Sequence, residues 1–151
     1  MSIRIFNTLG RCQAPFVPLT PGKVKIYVCG PTVYDDPHLG HARSAVVFDV
    51  IARYLGIRGY HVTLVRNLAD IDDKILQRAR KEKRDYRTLT ARYTRRYQKA
   101  MAALNVRPPD AEPKATEFIL PIQDFIQRLI QRGHAYSAAG GVYFNVASFK
   151  H

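Results

Sequence analysis

The chain has 151 residues, 46% of them hydrophobic, and a formal net charge of +12. That length supports one domain with its own core, and no apolar run is long enough to span a bilayer. Met1 to Phe16 lack the unbroken apolar stretch and small-residue cleavage site of a secretory signal, so a cytoplasmic protein without a membrane span is the expectation.

Arg11 to Lys23 carries Pro15, Pro18 and Pro21 and reads as extended and loop-like. Val24 to Cys29 alternates and is rich in β-branched residues, which predicts a strand ended by Gly30-Pro31. The period then changes. Val47, Val50, Ile51, Tyr54 and Leu55 share one face of a helix, and Gly56 and Gly59 offer it a stop. Val62 to Val65 is a second strand, so the three elements form a βαβ unit of a parallel sheet. Helices are expected from about Asp72 to Lys83 and from about Tyr86 to Leu104. On the second, Tyr86, Leu89, Tyr93, Tyr97, Ala100, Met101 and Leu104 share a face. Arg107 to Pro113 is a connector that cannot be helical. A last helix starts near Pro121, carries Phe118, Ile122, Phe125, Ile126 and Leu129, and stops at Gly133. A hairpin closes the sequence: Tyr136 leads into Ala138-Ala139-Gly140-Gly141, and Val142, Phe144 and Val146 alternate after it.

The two cysteines, Cys12 and Cys29, do not make a disulfide framework and are read as free thiols. Cys29 ends a strand. A functional thiol needs a metal or a cationic neighbour, and a zinc site needs about four ligands. His38 and His41 could join Cys29 on such a metal. Alternatively, the two histidines serve phosphate. His38-Leu39-Gly40-His41 opens a helix, where free backbone N–H groups and the helix dipole favour an anion, and two imidazoles can donate to phosphoryl oxygens. Gly40 lets a flat base approach the backbone. The two roles compete for the same rings.

Asp70, Asp72 and Asp73 stand at the end of the second strand. One of them reads as a helix cap with acids complementing the dipole. The same carboxylates could hold a substrate ammonium or ribose hydroxyls. Between Lys74 and Lys99 there are eleven Lys or Arg against two acids, Glu82 and Asp85. This run is either a solvated face or a surface that tracks a nucleic-acid backbone.

Tyr27-Val28-Cys29-Gly30-Pro31-Thr32-Val33-Tyr34-Asp35, followed by His38-Leu39-Gly40-His41 and Arg43, resembles the signature of cysteinyl-tRNA synthetases. The tetrapeptide His38 to His41 is similar to the "HIGH" motif of class I aminoacyl-tRNA synthetases. Ile5 to Leu9, Arg66-Asn67 with Asp70 to Lys74, Arg107-Pro108 and Gly133 to Tyr136 agree as well.

The resemblance implies an α/β fold: a partial Rossmann-like (HUP-type) parallel sheet over residues 1–84, then the start of a connective insertion over 85–151. It implies a fragment of an enzyme that activates cysteine with ATP and Mg2+ to an adenylate and transfers it to tRNA(Cys). His38, Gly40 and His41 would bind ATP, with His38 and His41 as the catalytic pair. Cys29, Gly30, Thr32 and Asp70 would meet the amino acid, and Cys29 would be one ligand of a Zn2+ ion. Residue 69 is Ala where the family usually has Thr. The other zinc ligands and the lysine-rich loop of the family fall outside these residues, so the chain alone is expected to be inactive. Its half sheet is expected to expose an apolar face and to favour self-association. Two alternatives are a non-catalytic tRNA-binding paralogue and a ligase joining cysteine to an amino sugar.

Overall fold

The computed structural model describes residues 3–149. Its centre is a parallel pair, β3 (Lys23–Val28) and β4 (His61–Arg66), joined by helix α1 (Leu39–Ile57). The register runs from Lys23 opposite His61 to Val28 opposite Arg66, as a βαβ unit requires. Along β3, Val24 and Val28 are buried while Lys25 and Tyr27 are exposed. One sheet face is therefore covered and the other is open.

Two elements depart from the sequence reading. The proline-bearing segment after Arg11 contains strand β2 (Cys12–Pro15), which pairs antiparallel with β1 (Arg4–Asn7). Its prolines sit at or beyond the strand end, where no ladder N–H is needed. The connector 107–113 is not helical, but it also does more than connect. Residues 110–115 run parallel to β4 along the edge opposite β3, with bridges Val65 to Ala111 and Leu68 to Lys114. Arg66 N–H donates to Ala111 O (3.1 Å) and Leu68 N–H to Pro113 O (2.9 Å). The prolines are tolerated because they only accept.

Helices α2 (Asp73–Glu82) and α3 (Tyr86–Ala103) follow. One core cluster joins Val33, Leu68 and Ile75 to Leu89 and Tyr93 of α3. A second joins Ala45 of α1 to Tyr97, Met101 and Val106. Packing thus runs across the expected division at residues 84 and 85. Helix α4 (Ile119–Gln131) follows a 3-10 turn at Ala115–Phe118, and β5 (Ala135–Ala138) pairs with β6 (Gly141–Phe144) as a two-residue hairpin.

The inward face of α1 differs from the expected one. Ala45, Asp49, Ala52 and Leu55 are buried, whereas Val47, Val50 and Tyr54 are 46%, 58% and 47% exposed. Small alanines let α3 come close, and Asp49 is buried because two arginines bind it. Of the expected face only Leu55 is fully buried, and an apolar stripe stays open. Among the described residues, β3 likewise has β4 as its one strand neighbour.

Candidate nucleotide and amino-acid site

The site lies where β3 and β4 end and α1 begins. Gly30 crosses Asn67 at very short range: a Cβ on residue 30 would lie 1.6 Å from the Asn67 carbonyl oxygen. Asn67 holds that approach with its side chain, whose Oδ1 accepts from Gly30 N–H (2.9 Å) and from the Tyr27 hydroxyl (3.0 Å). Beyond it, Ala69 N–H donates to Pro31 O (3.0 Å) and Val33 N–H donates to Ala69 O (3.2 Å). The backbone at Ala69 therefore sews the two strand ends together.

His38 caps α1. Its Nδ1 accepts from Gly40 N–H (3.0 Å), and its own N–H donates to His41 Nδ1 (3.2 Å). This is a reciprocal capping box built from two histidines. The rings lie 4.0 Å apart at 36°. A neutral imidazole that accepts at Nδ1 carries its proton on Nε2. Both rings thus keep an Nε2–H donor that the capping box does not use. Gly40 is required for this arrangement, since a Cβ there would sit 2.8 Å from His38 Cε1.

Burial, and then the neighbouring His38, lower the His41 pKa from its ordinary 6.5. At neutral pH His41 is therefore uncharged and donates through Nε2–H. The capping box needs that neutral form. Because the folded pKa lies below the unfolded one, the contribution to stability is full above about pH 6.5 and is lost as pH falls through the folded value. An NMR titration of the imidazole carbons should place the His41 midpoint below 6.5, and a midpoint at or above that value would contradict the geometry.

A hollow of about 190 Å³ opens beside the histidines, lined by Cys29, Gly30, Thr32, His41, Ser44 and Arg66, among others. It brings together Cys29, Gly30, Thr32, Gly40 and His41 from the sequence reading. Asp70 is elsewhere: its two oxygens accept from Thr116 N–H (2.9 Å) and from the Thr116 hydroxyl (2.6 Å), beside a different hollow. Here Asp70 is a tie to the 3-10 turn and does not line the hollow beside the histidines. Asp72 is the α2 cap, accepting from Lys74 N–H (2.8 Å), and Asp73 lies in the first turn. Helix capping and this tie account for all three aspartates.

The arrangement in which His38 and His41 join Cys29 on one metal is not formed. Among the described residues no group of three or more His, Cys, Asp or Glu side chains gathers to hold a metal. Cys29 is exposed and supplies one thiol, so these residues do not fit a zinc ion by themselves.

In the basic run, every Lys and Arg except Arg78 is exposed. Some are engaged within the chain. Arg78 pairs with Glu82 and Asp35, and Arg96 with Asp36 (2.7 Å). Sequence reasoning placed none of Arg66, Asn67, Ser44 or Tyr97 in the site, yet all four build or line it.

A strand-end site facing a helix N-terminus in an α/β fold defines a class of nucleotide-handling proteins. The chain belongs to the family described as tRNA synthetases class I (C) catalytic domain, whose model matches residues 15–151. The Cysteine–tRNA ligase of Aquifex aeolicus is 51% identical over 150 residues, covering 99% of this chain and 30% of its own length. That of Pelobacter propionicus is 54% identical over 149 residues with the same shares. That of Thermococcus gammatolerans is 50% identical, covering 99% of this chain and 32% of its own length. The chain therefore spans about three tenths of the curated relatives it matches. Among solved structures, the Agrobacterium radiobacter LeuRS in a ternary complex with tRNA and LeuAMS superposes with a TM-score of 0.66 at 25% identity, over 80% of this chain and 16% of that one. The Mycobacterium tuberculosis methionyl-tRNA synthetase bound by methionyl-adenylate gives a TM-score of 0.66 at 23% identity, over 78% of this chain and 23% of that one.

Proposed function

We propose that this chain is the N-terminal, phosphate-handling part of a cysteine–tRNA ligase, with a half Rossmann-like (HUP-type) sheet as its frame. The observation that carries the reading is the histidine capping box. It leaves two Nε2–H donors and the α1 N-terminus at the carboxyl ends of parallel strands. Such donors stabilise the charge on ATP phosphates during attack by an amino-acid carboxylate. The His38–His41 tautomers are fixed before substrate arrives, so no reorganisation is needed at the moment of reaction.

Half-identical relatives that are cysteine–tRNA ligases support cysteine as the amino acid and tRNA as the acceptor, over an amino-sugar acceptor. Cys29 faces the amino-acid hollow. A zinc ion sharing Cys29 would draw its other donors from beyond the described residues. The exposed cations between Lys74 and Lys99 are the surface offered to the tRNA backbone.

ATP binding tests the reading. Titrating ATP with Mg2+ should shift the Nε2 resonances of His38 and His41. His38→Ala and His41→Ala should each weaken ATP by about tenfold, the scale of one hydrogen bond to a charged group. Unchanged affinity in both variants would remove the phosphate role.

A further inference from the structure

We infer that Arg66 is the anion-recognition residue of the hollow beside His41, and that the anion it takes is the carboxylate of the small amino-acid substrate. The inference deepens the ligase reading and rests on it for the identity of the ligand.

Arg66 closes β4, with its side chain directed inward, and is 3% exposed. One terminal nitrogen donates a long hydrogen bond to the Tyr97 hydroxyl (3.4 Å). The other, Nη2, is buried with no hydrogen-bond partner among the described residues. No Asp or Glu among the described residues pairs with this guanidinium. Tyr97 does not supply the missing charge either, because burial raises its pKa and keeps the hydroxyl protonated. A buried cation with an unmet donor and no carboxylate within ion-pair distance is costly, and an incoming anion that reached it would offset that cost.

The hollow fits that anion in sign and size. Thr32, His41, Ser44 and Arg66 line it with donors, and no carboxylate is among its lining residues. Its volume of about 190 Å³ lies below the roughly 300–1,000 Å³ of sites for drug-sized ligands, so it suits a few-atom molecule better than a nucleoside triphosphate. The planar fork of a guanidinium matches a planar carboxylate. Arg66 also borders a second hollow near Val106 and Pro108, but that one contains the acid Glu112, which accepts from Gln98 (2.6 Å). An anion is disfavoured there.

The test follows the Arg66 Nε–H resonance of the whole chain. Three probes are titrated: 3-mercaptopropionate, which has the carboxylate and thiol of cysteine but no amine; cysteamine, which lacks the carboxylate; and inorganic phosphate. Saturable shifts with 3-mercaptopropionate and none with cysteamine are expected. Arg66→Lys should weaken the 3-mercaptopropionate response at least tenfold. The wild-type titrations carry the test even if that variant fails to fold. A response to phosphate in preference to the carboxylate would assign Arg66 to the nucleotide and overturn the inference. Silence with all three probes would overturn it too, since the charge would then be balanced within the protein. An ATP response without a carboxylate response sinks the Arg66 inference alone. A carboxylate response without an ATP response sinks the ligase reading and leaves the anion site standing.

Discussion

Gly30→Ala should destabilise the chain by about 3 kcal/mol or more, among the largest effects of any single substitution in it. The added methyl would be placed 1.6 Å from the Asn67 carbonyl oxygen, with the Asn67 carbonyl carbon at 2.8 Å. Both are backbone atoms, so no rotamer change relieves the clash. The strand ends must separate, and three bonds are arrayed around that point. Gly30 N–H to Asn67 Oδ1 is the nearest, and Ala69 N–H to Pro31 O and Val33 N–H to Ala69 O lie just beyond. Val33 and Leu68, both in the main core cluster, flank the same crossing. Local strain there is therefore passed to the core. Urea unfolding of the two proteins measures the loss. An unchanged midpoint would mean that the close approach is not kept in solution. Asn67→Ala is the informative companion: it removes the clamp without adding volume. It should cost about 1 kcal/mol, the worth of an ordinary hydrogen bond.

The crossing at Gly30 shows what the sequence can and cannot disclose. The βαβ unit was legible because its signals are strong: alternation in Val24 to Cys29, apolar residues at helical spacing in α1, and a β-branched run at Val62 to Val65. The end of β3 at Gly30-Pro31 was legible as well. What makes the glycine necessary was not, because its partner Asn67 is thirty-seven positions away. The inward face of α1 was misread for a related reason. Counting large apolar residues favours Val47, Val50 and Tyr54, whereas close helix packing selects Ala45, and a buried ion pair selects Asp49. The pairing of residues 110–115 with β4 was hidden because prolines look like loop, and only the hydrogen-bond partners show that their carbonyls are used. The tie from Asp70 to Thr116 was not legible, because the two residues are forty-six positions apart. Arg66 did leave a signal. It falls in register with Val62 and Leu64 on the inward face of β4, and a cation at a core position of a strand calls for a partner.

Asp49→Ala should lower stability at neutral pH by about 2 kcal/mol, and the difference from the parent should shrink as the solution is made more acid than about pH 4. Asp49 is 6% exposed on the inward face of α1. One carboxylate oxygen accepts from Arg53 Nε (2.7 Å), and the other accepts from the Arg107 backbone N–H and Nε (both 3.3 Å). Arg53 also donates to Asn105 O (2.8 Å). Together these bonds fasten the end of α3 and the turn into the 110–115 run against α1. That run covers one edge of β4, whose far end carries Arg66. Losing a fully buried pair member costs about 3–5 kcal/mol, but the Arg53 and Arg107 side chains are 38% and 54% exposed and regain water, so the smaller figure applies. Burial alone would raise the Asp49 pKa; the hydrogen bonds from Arg53 and Arg107 and the charge of Arg53 outweigh it and hold the carboxyl below 3.8. A folded pKa below the unfolded one means that the contribution is complete above about pH 4. It is lost as pH falls through the folded value. Urea unfolding between pH 2 and pH 7 should therefore show the parent curve descending toward that of Asp49→Ala at the acid end. Curves that stay parallel across the range would mean that packing around Asp49, and not its charge, holds the 105–107 turn in place.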